Sequence, residues 1–299
     1  MIPRILPLLI VLPLLSISCK RKEPVPPGTA ADTPSAPPSE TGFILAKRGH
    51  IPPAGTRGKT EGILTIDNAT ILSHTDGRES KGVYFHGIEA RGTFEFLSDT
   101  KIRRMLVSRK ITGKTVFGDR EFPEPVKPVP LEGRPILVEK KDGKWVAALE
   151  TGTPELEWVP EIEKMADFLN REVDVELYGD NPRKVGDKWD VDPTKIGSFA
   201  ILDDMTGTYA MEFTGIEDYQ GIRCAVLKAE VDLASKSDER QMNMRLRGTV
   251  TTHRSLGDLS DLRTVTSGNI SIDATPAPDV TAHIEGPVEI TQKIIIDRL

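Results

Sequence analysis

The sequence predicts a mainly β protein: a long-stranded, curved antiparallel meander, forming a half-barrel or incomplete barrel, with one short helix packed on or near its concave face. Two observations lead to this fold class. Apolar and polar residues alternate over several segments after Thr206, which is typical of a sheet with one buried side. One earlier segment, residues 159–169, carries apolar residues at helical spacing instead. The 299 residues suffice for one large or two modest domains.

Residues 1–18 have the three regions of a secretory signal peptide. Arg4 precedes an apolar run from Ile5 to Leu15, and small residues follow at Ser16 and Ser18. The apolar run is shorter than the roughly 20 residues that a membrane-spanning helix needs. The pattern therefore predicts export and removal of this segment.

Cys19 follows the small residues directly. The stretch Leu15-Ser16-Ile17-Ser18-Cys19 resembles the lipobox of bacterial lipoproteins. The resemblance implies that the Cys19 thiol receives a diacylglycerol and anchors the mature chain in a membrane. Lys20 stands where some of these lipoproteins carry the Asp that marks inner-membrane retention, so the resemblance implies the outer membrane rather than the inner one. Ordinary signal cleavage is the alternative, because the small residues also satisfy its rule.

Residues 19–61 predict a disordered, basic, Pro-rich tether. This stretch holds eight prolines, with seven basic and four acidic side chains. Proline fixes φ and lacks an N–H donor, so such a segment favours an extended linker over packed structure. Residues 62–299 carry 31 basic and 41 acidic side chains, so a basic tether precedes an acidic body. That acidity argues against nucleic acid as a partner.

Residues 62–150 predict an N-terminal β region. Its candidate strands are 62–72, 82–88, 92–97, 104–112, 136–139 and 145–149. Asp142-Gly143, between the last two, is a strong hairpin signal. The pattern leaves open whether this region shares one sheet with the rest of the body or forms a separate lobe.

Residues 151–299 predict a helix followed by a five-stranded antiparallel meander. In the helix, Trp158, Ile162, Met165 and Leu169 make one apolar stripe. Clusters of turn-forming residues separate the strands that follow. The predicted strands are 207–216, 221–233, 240–254, 261–273 and 279–297.

The inward face of the meander is the predicted place for a ligand. Gly248, Gly268 and Gly286 lie mid-strand on that face. Glycine there either permits the curvature of a long sheet or leaves room for a bound molecule. The predicted ligand contacts are Met242, Met244, Leu246 and Gly248.

The sequence predicts no catalytic residue, cofactor or metal site. It has no nucleophile elbow, zinc-protease motif or nucleotide-binding loop. Asp187, Asp190 and Asp192 could offer oxygen ligands to Ca²⁺, but their segment lacks the spacing of a calcium loop, and a turn is the favoured interpretation. Asp203 and Asp204 are neighbours, which places them on opposite faces of a strand and makes them a poor acid–base pair.

A basic strip in the N-terminal β region admits two interpretations. It could meet phosphate, lipid headgroups or acidic sugars, or it could be a solvated strand face, which is the favoured interpretation. The strip consists of Lys101, Arg103, Arg104, Arg109, Lys110 and Lys114.

Two short segments carry a second resemblance. Val185-Gly186-Asp187-Lys188-Trp189 and Gly221-Ile222-Arg223-Cys224-Ala225 look like parts of secreted bacterial lipoproteins with a curved-sheet or half-barrel body. The resemblance spans about residues 130–299 and implies no activity and no catalytic residues.

Three functions remain open from the sequence. The favoured one is a non-catalytic, membrane-anchored envelope lipoprotein that binds an apolar or amphiphilic ligand. The second is a structural or assembly module that presents an acidic β surface to another envelope protein. The third is a hydrolase that uses carboxylates on the concave face.

Overall fold

The computed structural model describes residues 42–125, 129, 131–199, 202–237 and 241–297. The expected signal peptide, the Cys19 lipid site and the tether as far as residue 41 lie outside the described residues. The first strands are β1 (Arg57–Thr75), β2 (Arg78–Ser98), β3 (Lys101–Phe117), β4 (Arg120–Pro123), β5 (Pro135–Lys141) and β6 (Lys144–Leu149).

A helical segment follows, and then the second group of strands. It comprises a 3₁₀ turn (Leu156–Trp158), α1 (Val159–Asn170), α2 (Val173–Tyr178), β7 (Lys188–Val191), α3 (Pro193–Ile196), β8 (Ser198–Phe199) and β9 (Leu202–Asp203). The long strands are β10 (Thr206–Tyr219), β11 (Ile222–Ser237), β12 (Met242–Ser255), β13 (Asp261–Ala277) and β14 (Val280–Asp297).

One large antiparallel sheet holds almost all of these strands. Among the described residues it has twelve strands in the order β6-β5-β3-β2-β1-β14-β13-β12-β11-β10-β7, with β4 paired to β3. The sheet does not close in this part of the chain, since β6 and β7 are its two ends. β1 pairs with β14 along its length, from Gly58 opposite Ile296 to Ile71 opposite Ile284. The two halves of the body therefore share one sheet, and the two-lobe alternative is wrong.

The predicted mainly β fold and its five-stranded meander are confirmed. Each predicted strand of the meander lies on one of β10 to β14, and the helix expected at 159–169 is α1. At the predicted hairpin, Asp142 and Gly143 both have positive φ, as a type I′ turn requires. The predicted break between 82–88 and 92–97 is wrong. Alternating burial continues through Ala90, so β2 is a single strand.

The predicted end of the tether at residue 61 is also wrong. β1 begins at Arg57, and the preceding Leu45 and Ala46 are fully buried. Phe43 packs edge-on against Phe213 of β10, and its backbone bridges to Arg183. The apolar run 43–46 is attached to the body because burying Leu45 and Ala46, with Phe43 partly buried, outweighs the local bias of the surrounding prolines and glycines.

The buried face of the sheet carries two hydrophobic cores. The main core lies between the long strands and a covering layer made by residues 43–46, α2, residues 196–199 and residues 202–205. The second core lies between one end of the sheet and α1, where Ile162 of α1 and Trp158 of the preceding 3₁₀ turn cluster with Ile136 and Trp145. β2 contributes to both cores from the same face, so α1 lies on the concave side as predicted.

A buried arginine ties the covering layer to the sheet. Arg254 of β12 is 1% exposed, and its Nη1 lies 2.6 Å from Asp261 Oδ1 while its Nη2 lies 2.7 Å from Asp174 Oδ2. Its Nε donates to the Leu45 carbonyl, and its guanidinium stacks over Tyr178. Burial lowers the pKa of Arg254, but the two carboxylates outweigh burial and hold that pKa above its ordinary value.

Candidate functional site

A cavity of about 220 Å³ lies beneath α1, between the two cores. Strand β3 forms its floor, α1 its roof, and the segment after α3 one wall. Its apolar lining consists of Ala90, Leu106, Met165, Phe168 and Ile196.

Arg104 lies at the floor of this cavity. Alternation along β3 turns Ile102, Arg104 and Leu106 inward, and Arg104 sits between Phe94 of β2 and Ile136 of β5 in the register of the sheet. The residue is 6% exposed. Among the described residues, its guanidinium has no hydrogen-bond or ion-pair partner. Burial alone lowers the pKa of Arg104 to about 10, so the group is still charged at neutral pH.

A β-bulge brings a second arginine to the same face. The β2–β3 register shifts where Gly92 opposes Leu106 and Arg91 opposes Ser108, which leaves Val107 as the extra residue. Inward residues of β3 are even-numbered before the bulge and odd-numbered after it, since a one-residue shift exchanges the two faces. Arg109 therefore points inward beside Arg104.

Unlike Arg104, the other cations around the cavity have carboxylate partners. Arg109 Nη2 lies 2.7 Å from Glu161 Oε1 in the first turn of α1, and both side chains are at most 10% exposed. At the rim, Lys164 Nζ lies 2.7 Å from Asp203 Oδ2, with both side chains nearly half exposed. Arg171, the residue after α1, pairs with Asp167 in the last turn of that helix. The Arg109–Glu161 pair holds the helix over the cavity floor, and Arg104 is left as its one uncompensated buried charge among the described residues.

An uncompensated buried guanidinium is costly. Transferring an ion from water into a protein interior costs several kcal/mol unless a partner offsets it. Arg104 could reach solvent only through the cavity, because strands flank it on both sides. The site can therefore accept an anionic group, and its apolar walls can hold a hydrocarbon.

The basic strip predicted as a solvated face divides into two sets. Lys101, Arg103 and Lys114 point outward and pair with surface carboxylates, and Lys110 is exposed, as expected. For Arg104 and Arg109 the solvated-face interpretation is wrong, because both are buried beside the cavity. The alternating pattern could have identified Arg104 as inward, but the bulge that turns Arg109 inward has no signal in the sequence.

The predicted ligand contacts on the meander lie elsewhere. Met242, Met244 and Leu246 are buried in the main core. A Cβ at Gly248 would lie 2.3 Å from the Ser267 carbonyl oxygen, because Gly248 faces Gly268 across the two strands. The neighbouring backbone fills the space at this position, in agreement with the curvature interpretation. A ligand contact at these four residues stays a prediction.

Of the three aspartates weighed as metal ligands, Asp187 and Asp192 shape turns, whereas Asp190 lies in β7. Asp187 accepts a hydrogen bond from the Lys184 backbone, and Asp192 caps α3 by accepting from the hydroxyl and the backbone N–H of Thr194. These bonds, the hydroxyl's first, lower the pKa of Asp192. Within the described ranges, no three His, Cys, Asp or Glu residues come together in a way that could hold a metal ion.

A polar cluster that the sequence did not reveal lies further along β2. Glu124 accepts hydrogen bonds from Tyr84 Oη at 2.8 Å and contacts His86 Nδ1 at 3.0 Å. Burial, and then the charge of Glu124, raise the pKa of Tyr84. The cluster fastens the segment after β4 to the inner face of β2.

No protein-family model matches the chain, and no curated protein matches it. Among solved structures, lipovitellin aligns with 82% of this chain at 8% identity and a TM-score of 0.39, and the chain spans 25% of that protein's length. A DUF1329 family protein from Desulfovibrio piger aligns with 77% of this chain and 83% of its own, at 11% identity and a TM-score of 0.15.

DynF, from the dynemicin biosynthesis pathway of Micromonospora chersina, aligns with 89% of this chain and 92% of its own, at 10% identity and a TM-score of 0.20. Structural similarity at these TM-scores does not indicate a function. None of the helices in the described ranges combines the length and the apolar composition needed to cross a membrane.

Proposed function

We propose that the protein is an exported, membrane-anchored bacterial lipoprotein without catalytic activity, whose curved β body binds an apolar or amphiphilic ligand. The observation that carries the binding role is the cavity beneath α1, where five apolar side chains surround a buried cation. A concave, mostly apolar site with one convergent charged group is the common form of a small-molecule site. The cavity replaces the inward face of β12 as the favoured place for the ligand.

The anchoring role rests on the N-terminal sequence. The signal-like segment and the lipobox-like stretch ending in Cys19 support attachment through a lipid, with the outer membrane favoured. Acyl chains contribute about 0.8 kcal/mol per buried methylene, so several chains on one terminus give a stable anchor. The remaining residues up to 41 give the body reach from that anchor.

The anchor is tested by expressing the full chain and a Cys19→Ala variant in a bacterial host and separating membranes from soluble fractions. We expect the unaltered chain in the membrane fraction, with an N-terminal mass that includes a diacylglycerol. The variant should lose that mass. An unmodified Cys19 in the mature chain would refute the lipid anchor.

Ligand binding is tested by native mass spectrometry of the full chain prepared without detergent. The Ala90→Leu variant places three extra carbon atoms in the cavity, whereas Ala54→Leu makes the same change at an exposed turn. We expect a bound apolar molecule on the unaltered chain and on Ala54→Leu, and its loss from Ala90→Leu. Identical spectra for all three, with no bound molecule, would refute the binding role.

The assembly-module alternative keeps one observation in its favour. Residues 43–46 and α2 fill the main core, so that part of the concave face offers its surface to no ligand. Crosslinking in intact cells separates the two functions, since a module should be captured with one envelope protein in fixed proportion. Recovery of monomer alone would leave the ligand-binding function as the better account.

A further inference from the structure

The lining of the cavity beneath α1 also indicates the chemical class of its ligand. We infer that it binds a compact apolar monocarboxylate, whose carboxylate pairs with Arg104 and whose hydrocarbon contacts Met165 and Phe168. This inference deepens the proposed binding function and rests on it.

The charge of the ligand follows from the ion pairs around the cavity. Arg109, Lys164 and Arg171 each have a carboxylate within 2.7 Å, so they offer no free positive charge. Arg104 is the one lining cation that lacks such a partner in the described part of the chain. A monoanion would neutralise it, whereas a dianion would leave a second negative charge among the carboxylates Glu161 and Asp203.

The shape of the charged group favours a carboxylate. A guanidinium presents its N–H donors as a planar fork that matches the two oxygens of a carboxylate. Arg104 lies between Phe94 and Ile136 in the strand register and is 6% exposed. A charge-assisted hydrogen bond is electrostatically stronger in such a low-dielectric site than in bulk water.

The size of the ligand follows from the cavity volume. A dry cavity of about 150 Å³ holds a molecule such as benzene. The 220 Å³ available here fits a somewhat larger apolar acid and is too small for a whole membrane lipid. The half-exposed Lys164–Asp203 pair lies at the rim, whereas Arg104 lies at the floor, so the carboxylate enters first.

The test compares octanoate, octanol and acetate by calorimetry on the full chain after removal of bound lipid. Octanol has the same chain without the charge, and acetate has the charge without the chain. We expect octanoate to bind about 10- to 100-fold more tightly than octanol, because a hydrogen bond to a charged group is worth that factor. Acetate should bind more weakly than either of them.

Variants assign the preference to one residue. Arg104→Met should bind octanoate no better than octanol, whereas Arg103→Met changes an outward-facing neighbour on the same strand and should keep the full preference. Arg104→Lys keeps the charge but loses the fork, so an intermediate preference is expected. Unfolding in urea confirms that each variant is folded.

The outcomes separate this inference from the proposed function. Equal binding of octanoate and octanol by the unaltered chain, or a preference that survives in Arg104→Met, would overturn the carboxylate class while binding itself stands. Acetate binding as tight as octanoate would overturn the apolar part of the inference. If no probe binds and Ala90→Leu changes nothing, the proposed binding function fails as well.

Discussion

Two buried arginines, Arg254 and Arg104, mark a region that ties the fold together and a region where we propose that a ligand binds. Arg254 is 1% exposed and meets Asp261, Asp174, a backbone carbonyl and the ring of Tyr178. Arg104 is 6% exposed, yet no group in the described residues pairs with its guanidinium. The residue type and the burial are nearly the same, so the difference lies in the partners that the fold supplies.

Burial lowers the pKa at both sites, and the carboxylate partners decide the outcome. At Arg254, two carboxylates outweigh burial, and the pKa lies above its ordinary value. At Arg104, burial acts alone, and the pKa falls to about 10. Strongly shifted pKa values cluster at binding and catalytic sites, which agrees with the proposed role of Arg104 as the partner of a ligand.

The largest expected effect is at Arg254. Arg254→Met should lower the free energy of unfolding by about 3–5 kcal/mol, because it leaves the buried carboxylate of Asp261 without its counter-ion. The measurement is urea unfolding of the full chain. Arg263→Met, on the neighbouring strand and partly exposed, is the control and should lose less than about 1 kcal/mol. A loss that small at Arg254 would contradict the role of this residue as a stabilising tie.

The next effect is at Arg109. Arg109→Met should lower the free energy of unfolding by about 2–4 kcal/mol, since Glu161 would be left nearly buried and unpaired beneath α1. Adding Glu161→Gln removes the stranded charge and should restore more than half of the loss. If the double variant were as unstable as the single one, the ion pair would not be the cause.

Substitution of Arg104 should raise the free energy of unfolding, whereas substitution of Arg254 or Arg109 should lower it. Arg104→Met keeps most of the side-chain length but removes the uncompensated charge, so the ligand-free protein should gain about 1–3 kcal/mol in its free energy of unfolding. Arg103→Met should leave stability nearly unchanged. A marked destabilisation by Arg104→Met would show that the guanidinium has a stabilising role, and the contrast with Arg254 would disappear.

The smallest expected effect concerns the exposed pair of His283 and Asp273, which serves as a reference for the buried ion pairs. The hydrogen bond from His283 to Asp273 is the first cause that raises the pKa of His283, and the pair spans 2.7 Å between β14 and β13. The contribution of this pair to the free energy of unfolding is fully present below the ordinary histidine pKa. It is lost as pH rises through the raised pKa of His283. NMR titration should show the pKa of His283 falling in Asp273→Asn. An unchanged pKa would assign the shift to Glu285, which is 3.7 Å away.

Most of the sheet was predictable because its strands are long. In β12, side chains alternate between buried and exposed from Met242 to Arg247, and such runs specify both the strand and its inner face. The pairing of β1 with β14 was not predictable, since alternation identifies a buried face but not the neighbour in the sheet. The buried residues Leu45 and Ala46 were missed because the surrounding prolines favour a linker.

The candidate site was only partly predictable. The basic strip contained Arg104 and Arg109, but a regular alternation places these two residues on opposite faces. The bulge at Val107 brings them together, and it depends on how β2 and β3 pair rather than on any local residue pattern. The apolar stripe predicted α1 and its contact with the sheet, whereas the empty space beneath Met165 and Phe168 arises only from tertiary packing.

The pairing of β1 with β14 also has a kinetic consequence. β1 is among the first strands to be synthesised, but one of its two neighbours is the last strand of the described chain. Contacts between such distant segments slow folding, because the loop between them must be closed before the contacts form. A chain that stops before Val280 would leave one edge of β1 and one edge of β13 unpaired in the middle of the sheet, where β14 otherwise pairs with both.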